Sequence, residues 1–184
     1  MKKVQMTIRG VSEIVGTEEL GLIELVDGTL SRQLTIPCDK QMLSQFRLRL
    51  GHAPIVGRML PEVLWQVINT QTDLRFEILI NDLIDGQYRA MLYNTETLEP
   101  ISMRASDAAL LSFISGIPLY VEWGLMQKQS VDFVERSNGI SIPVNSISDQ
   151  MLHDALSKAI ENENYEIASH IRDEINRRKS SKNQ

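Results

Sequence analysis

The sequence is poor in the residue types that mark several classes of protein. Its single cysteine, Cys38, excludes a disulfide framework and a multi-cysteine zinc site, and we interpret it as a small residue half-buried before a helix. Aromatic residues make up 5% of the chain and do not alternate with basic ones, so a base-stacking surface for single strands is not expected. No apolar run approaches the roughly 20 residues that a membrane-spanning helix needs. Thr7, Arg9 and Glu13 also interrupt any secretion signal, so we expect a bacterial-type cytoplasmic protein without a membrane partner.

The length and composition of the chain fit one domain of ordinary size with a short appendage. Apolar residues make up 42% of the 184 residues and charged residues 23%, which is enough apolar material for a buried core. The formal net charge of −5 argues against a surface that binds nucleic acid everywhere. Residues 31–60 are the exception, because five basic side chains stand there against one acid, Asp39. Arg47, Arg49 and Arg58 of this stretch are candidate phosphate ligands. The alternative is that they neutralise acids from other segments.

Turn signals and apolar periodicity predict two similar units, each made of a β-hairpin and a helix. The first unit is centred on Asp27-Gly28 and ends in a helix capped by Asp39. The second is centred on Asp85-Gly86 and ends in the helix Asp107–Ser115, capped by Ser106. The strands are expected at Lys3–Arg9, Glu19–Val26, Leu30–Ile36, Leu74–Leu83, Gln87–Tyr93, Glu99–Met103 and Leu119–Glu122. The pattern predicts an α+β fold with a mixed, largely antiparallel sheet and flanking helices.

Two further helices are expected in this body of residues 1–136. One opens with Pro61 and has Leu64, Trp65 and Ile68 as its apolar face. The other covers Leu125–Arg136. Residues 137–148 are small, polar and interrupted by glycine and proline, and they predict a linker. Residues 149–179 then predict a helical hairpin, and residues 180–184 a frayed end.

The hairpin resembles the UVR motif shared by UvrB and UvrC excision-repair proteins and some Clp-type chaperone regulators. Leu152, Leu156, Ala159-Ile160, Tyr165-Glu166, Ala168 and Ile171-Arg172-Asp173-Glu174-Ile175 carry the resemblance. Small alanines allow two helices to approach closely, and Tyr165 and the isoleucines are expected to fill the seam between them. The resemblance implies protein–protein contact, with Leu156, Tyr165, Ile171, Arg172 and Ile175 as the interaction residues. The partner would be a UVR-bearing protein or a second copy, so a homo-oligomer is expected.

The body resembles the bifunctional nuclease family, whose small α+β domains act on DNA and RNA. Ile101–Val121 carries the resemblance through Arg104, Ser106-Asp107-Ala108 and the exit Pro118, Tyr120 and Val121, with support from Ile78–Tyr93. It implies a phosphodiesterase acting on DNA, RNA or both. The family's leading aspartate and its proline are Ser102 and Ala105 here. A non-catalytic oligomeric adaptor that keeps the fold and recruits partners through the hairpin is therefore the alternative.

Arg104, Ser106 and Asp107 are the candidate catalytic residues. Arg104 can bind a phosphate bidentately, Ser106 can donate to a phosphate oxygen, and Asp107 at a helix N-terminus can position water or hold a metal. The competing interpretation is structural: Ser106 caps the helix, Asp107 favours its positive end and Arg104 closes an ion pair. No HxH, HExxH, DxD or Cys/His pattern is present, so the metal is unknown, although Mg²⁺ or Mn²⁺ would suit a nuclease.

Overall fold

The computed structural model describes residues 2–13, 20–133, 149–161 and 165–182. The strands are β1 (Lys3–Glu13), β2 (Leu20–Asp27), β3 (Arg32–Asp39), β4 (Phe76–Ile84), β5 (Gln87–Asn94), β6 (Pro100–Arg104), β7 (Leu119–Glu122) and β8 (Val131–Asp132). The helices are α1 (Lys40–Leu50), α2 (Leu60–Gln71), α3 (Ala105–Ser115), α4 (Trp123–Gln129), α5 (Asp149–Glu161) and α6 (Tyr165–Lys182). A 3₁₀ turn, Val56–Arg58, precedes α2.

The eight strands form one sheet in the order β6-β5-β4-β7-β1-β2-β3-β8. Every neighbouring pair is antiparallel except β4 and β7, which run parallel. The prediction of an α+β fold with a mixed, largely antiparallel sheet is therefore confirmed. The two hairpin units are not copies of each other, because β6 stands between β5 and α3 in the second unit.

The second hairpin turn follows its sequence signal closely. Asp85 and Gly86 both have positive φ, 51° and 74°, between the paired residues Ile84 and Gln87, as a two-residue type I′ turn requires. The first turn is longer and is held by the side chain of Asp27. Its carboxylate accepts hydrogen bonds from the backbone N–H of Ser31 and Arg32 and from the hydroxyls of Thr29 and Ser31.

The core lies on the face of the sheet covered by α1 and α3. Phe46 of α1 is fully buried and meets Phe113 of α3 edge to face, with ring centroids 5.7 Å apart. Asp39 caps α1 as predicted, because its Oδ1 accepts from the backbone N–H of Met42 at 2.7 Å. Pro61 stands in the first turn of α2, also as predicted. A side-chain cap therefore marks the start of α1, and a proline in the first turn marks the start of α2.

Three local expectations are wrong. α3 begins at Ala105, because Arg104 stays extended as the last residue of β6, and Ser106 lies inside the helix instead of capping it. The helix after β7 ends at Gln129 and is followed by the short edge strand β8; the last part of the range predicted for that helix lies outside the described residues. On α2, Trp65 packs against the core, but Leu64 and Ile68 point away from it, 52% and 37% exposed.

The C-terminal part forms two helices that pack on each other, α5 and α6. The predicted linker, residues 137–148, lies outside the described residues, and so do residues 162–164 between the two helices. α6 extends to Lys182, three residues into the segment predicted to fray. In the described part of the chain, no helix is long and apolar enough to cross a membrane.

Candidate functional site

Strands β6 and β3, which are far apart in the strand order of the sheet, come together at the start of α3. Six strand steps separate β6 from β3, which in a flat sheet would place them about 29 Å apart. The sheet instead curves so strongly that Arg104 Nη1, at the end of β6, lies 3.4 Å from Asp39 Oδ2, at the end of β3. A cavity of about 180 Å³ lies at this junction, lined by residues 36–39, 86–88 and 104–106. The curvature therefore assembles a site from three segments distant in sequence.

Arg104 is the central charge of the site. Its Nε and Nη2 donate to the two carboxylate oxygens of Asp107 at 2.6 and 3.1 Å, and Nη1 reaches Asp39. The hydrogen bond and the charge of Asp107 raise the pKa of Arg104 above its ordinary value. The ion pair that the structural interpretation expected of Arg104 is therefore present, with Asp107 and Asp39 as its partners. The guanidinium is 66% exposed, so it lies within reach of a ligand that enters the cavity.

The N-terminus of α3 opens into the same cavity without a side-chain cap. The N–H groups of its first turn have no acceptor within the helix. The side chain at the N-cap position, Arg104, accepts no hydrogen bond from them. Ser106 lines the cavity, is 8% exposed, and makes no side-chain hydrogen bond to any residue that the structure describes. A guanidinium, a helix N-terminus and a hydroxyl on one cavity form a donor set that suits an anion.

Asp39 is the site residue that the sequence did not reveal as such. The sequence predicted its capping role, and the structure adds a second one: Oδ1 holds the start of α1 while Oδ2 reaches Arg104. The capping motif alone accounts for an aspartate at this position. No local signal could have linked it to an arginine 65 residues away.

The predicted catalytic residues are thus brought together, although in unequal positions. Arg104 and Ser106 line the cavity, whereas Asp107 reaches it only through its bonds to Arg104. Both carboxylates at the site, Asp39 and Asp107, already bind that guanidinium. Among the described residues, no group of three His, Cys, Asp or Glu side chains is placed to hold a metal ion. The donor set of the cavity therefore does not fit a metal centre.

Cys38 lines the cavity but is not a nucleophile. Burial raises the pKa of its thiol to about 12, and the neighbouring charge of Asp39 adds to the effect. The side chain is 3% exposed, more buried than the sequence indicated. At neutral pH the sulfur therefore stays protonated and packs as a small apolar group.

The three candidate phosphate ligands of residues 31–60 do not converge on the cavity. Arg49 is buried, 1% exposed, and binds both carboxylate oxygens of Glu62 at 2.7 and 3.0 Å. Arg47 pairs with Glu13 at 2.7 Å on the surface, and Arg58 stands exposed in the 3₁₀ turn before α2. Arg47 and Arg49 therefore neutralise acids from other segments, and Arg49 cannot reach a phosphate in this structure.

The interaction residues predicted in the tail divide between the seam of the hairpin and its surface. Leu152 and Ile175 are buried in a small cluster with Leu156 and Ile171, separate from the main core. Ala159 and Ala168 are buried as well, which allows the close approach expected of α5 and α6.

Tyr165 and Arg172 are on the surface of the hairpin. Tyr165 is 68% exposed at the start of α6, so the expectation that it fills the seam is wrong. Arg172 is exposed beside Asp173, with 3.8 Å between the guanidinium and the carboxylate. Both remain available to a partner.

The search against curated proteins finds no match to this chain. A protein-family model described as the UvrB/uvrC motif matches residues 152–180. The match covers the helical hairpin and leaves the body, with its cavity, outside. The C-terminal hairpin of this chain is therefore a UVR motif, a motif that mediates protein or DNA interaction.

Proposed function

We propose that the body of this protein binds the phosphodiester backbone of DNA or RNA at the cavity and hydrolyses it, while the UVR hairpin recruits a protein partner. The proposal is supported above all by one observation. Arg104, the uncapped N-terminus of α3 and the unpartnered hydroxyl of Ser106 face a single cavity. The resemblance of residues 101–121 to the bifunctional nuclease family points to the same place. A cytoplasmic setting remains a prediction.

Binding requires an exchange at Arg104. A phosphate that enters the cavity competes with Asp107 for Nε and Nη2, the two donors that also match a phosphate bidentately. The N–H groups of the first turn of α3 and the Ser106 hydroxyl then donate to the remaining oxygens. The hydrogen bonds of Arg104 are charge-assisted both with Asp107 and with a phosphate. The new ion pair with the phosphate therefore offsets the loss of the surface ion pair with Asp107.

The exchange also frees a base for hydrolysis. Asp107 loses its guanidinium partner when Arg104 turns to the phosphate, whereas Asp39 stays bound to the backbone of α1. The free carboxylate takes a proton from water as the water oxygen bonds to phosphorus. The leaving oxygen departs with the electron pair of its broken bond to phosphorus and takes up a proton from solvent. Arg104 and the helix N–H groups stabilise the negative charge that develops on the phosphate oxygens.

The experiment combines binding and cleavage on the full-length chain. Labelled single- and double-stranded DNA and RNA are titrated with the protein, and cleavage is followed with and without Mg²⁺ or Mn²⁺. Arg104→Ala should weaken binding by about tenfold or more, since a hydrogen-bonded charge contributes about 1.5–3 kcal/mol. Arg47→Ala, which removes an exposed arginine paired outside the cavity, is the matched control. Equal affinity of Arg104→Ala and wild type would refute the proposed site.

Asp107→Asn separates the base from the binding group. It should abolish turnover without weakening binding, which should instead tighten because Arg104 loses a carboxylate that competes with phosphate. The loss of a helix-terminal charge should cost about 0.3–1 kcal/mol in stability. Equal turnover of the two proteins at matched folded fraction would exclude Asp107 as the base.

A second function, a non-catalytic adaptor, is favoured by a different observation. Two carboxylates already neutralise Arg104, and the part of the chain matched by a known motif is the hairpin. The same experiment separates the two functions. An adaptor would cleave no substrate with any metal and would still retain partners through residues 152–180.

A further inference from the structure

Helix α2 presents its apolar side to solvent. Glu62 and Trp65 face the body, where Glu62 binds the buried Arg49 and Trp65 packs against the core. The exposed apolar side chains are Leu60, Val63, Leu64, Val67 and Ile68, with 69, 41, 52, 53 and 37% of their surface accessible. At 3.6 residues per turn these five positions lie within an arc of about 140°. In a monomeric protein, an amphipathic helix would instead turn its apolar side towards the core.

The spacing on this side is that of a helix that packs against another helix. Leu60, Leu64, Val67 and Gln71 follow one another at intervals of four, three and four residues, which is the spacing of a coiled-coil seam. The flanking positions, which in most helix pairs carry charges, are Pro61, Val63, Ile68 and Thr70. The only charged residue of α2 is Glu62, on the other side. The seam and both of its flanks are therefore free of charge.

No helix that the structure describes within the same chain covers this side. α1 and α3 pack on the sheet, α3 also contacts α2, and α5 and α6 pack on each other, yet the five apolar side chains of α2 stay exposed beside all of them. A partner from outside must bring flanks as uncharged as those of α2, because a charge placed against Val63 or Ile68 would be buried without a counter-ion. A helix of ordinary surface composition does not meet this condition, whereas α2 itself does.

We propose that α2 is a dimerisation helix and that it packs antiparallel against α2 of a second copy of this chain across a twofold axis. In this arrangement Leu64 of one copy lies against Val67 of the other, and Leu60 lies beside Gln71 at each end. The contact is self-complementary, as a twofold interface must be. Ile55 just before α2 and Leu74 just after it are 57% and 46% exposed, and they extend the apolar surface beyond both ends of the helix.

The arrangement makes a charge-pairing test possible. Leu64→Glu and Val67→Lys are prepared separately in the full-length chain, and molar mass is measured by size exclusion with light scattering. Wild type should have twice the 20.9 kDa of one chain, and each variant alone should have the mass of one chain. An equimolar mixture should recover the dimer, because the glutamate introduced in one variant then faces the lysine introduced in the other.

Two further proteins control for other causes. Leu30→Glu changes a leucine that is 57% exposed in the β2–β3 turn and should remain dimeric. Ile171→Asp disrupts the UVR hairpin and should also remain dimeric, since the contact does not use the tail. Circular dichroism confirms that Leu64→Glu and Val67→Lys are folded.

Four results would overturn the proposal: a monomeric wild type, a Leu64→Glu or Val67→Lys protein that keeps the wild-type mass, an Ile171→Asp protein that becomes monomeric, or folded monomeric variants whose mixture stays monomeric. The first two results would mean that α2 does not pack against a second copy of the chain. The third would mean that the dimer contact lies in the tail. A folded pair of monomeric variants whose mixture stays monomeric would exclude the antiparallel register.

Discussion

Arg104 and Asp39 end two strands that are six places apart in one sheet, yet their side chains lie 3.4 Å apart. α3 fills the space between these two edges, and its N-terminus lies at the point where they meet. The ion pair therefore marks where the sheet has curved back on itself. Asp39 caps the start of α1, and both Asp39 and Arg104 line the cavity. The same polar contacts therefore belong to the fold and to the site.

Asp39 has two separable roles, and two substitutions distinguish them. Asp39→Ala should lower the free energy of unfolding by about 1 kcal/mol because α1 loses its cap, whereas Asp39→Asn should cost a few tenths since asparagine also caps helices. Both should tighten nucleic-acid binding, because Arg104 loses one of the carboxylates that compete with phosphate. Chemical denaturation and anisotropy titrations measure the two effects. Weaker binding by Asp39→Asn, at unchanged stability, would show that the carboxylate contributes to binding instead of opposing it.

Arg47 and Arg49 offer a matched pair on one helix. Arg49→Ala should destabilise the protein by about 3–5 kcal/mol, because it leaves Glu62 without its partner in a largely buried position. Arg47→Ala removes an exposed ion pair with Glu13 and should change the free energy of unfolding by at most about 1 kcal/mol. Urea unfolding curves compare the two. Similar losses from both substitutions would contradict the burial of the Arg49–Glu62 pair.

Short-range sequence signals predicted much of the fold. The contacts that they did not predict depend on how segments distant in sequence pack together. Asp39, Pro61 and the Asp85-Gly86 turn act within a few residues, so their roles are legible in the sequence. Arg47 and Arg49 are identical in type, and two positions on a helix differ by about 200° in direction, so only the packing decides which one is buried. The approach of Arg104 to Asp39 depends on the curvature of the whole sheet, for which no single segment carries a signal.

Asp27 makes the stability of the first hairpin dependent on pH. Burial alone would raise the pKa of its carboxyl, but hydrogen bonds from Arg32, Thr29 and Ser31 outweigh it and lower the pKa from 3.8 to about 2. Since the folded carboxyl binds its proton less readily than the unfolded one, its contribution is complete above pH 3.8 and is lost as the pH falls towards 2. Asp27→Asn should flatten the stability profile in this window.

The control for Asp27 stands in the other hairpin. Asp85→Asn removes an exposed carboxylate from a tight turn and should leave the wild-type profile unchanged. Denaturation midpoints are measured at a series of acidic pH values for all three proteins. A profile of Asp27→Asn that runs parallel to that of wild type between pH 3.8 and 2 would show that the hydrogen-bonded carboxylate is not the cause.

The tail should act as an independent association module. Ile171 packs on the cluster of Leu152 and Ile175, so Ile171→Asp places an unpaired charge in the seam at a cost of several kcal/mol where the site is dry. A hairpin of this size buries too little surface to absorb that loss. We therefore expect the helical signal of the hairpin and its association with a UVR-bearing partner to disappear. Because the cluster is separate from the main core, the body should keep its unfolding transition.

Ile160→Asp is the matched control, since Ile160 lies on the same hairpin and is 52% exposed. The same change of side chain there removes no seam contact, so the helical signal should persist. Circular dichroism and co-purification of partners from cells, compared across wild type and both variants, distinguish a seam residue from a surface residue. If Ile171→Asp keeps both the helical signal and every partner that wild type retains, the seam does not hold the module together. The UVR hairpin would then associate by some other surface, for which exposed Tyr165 is the first residue to substitute.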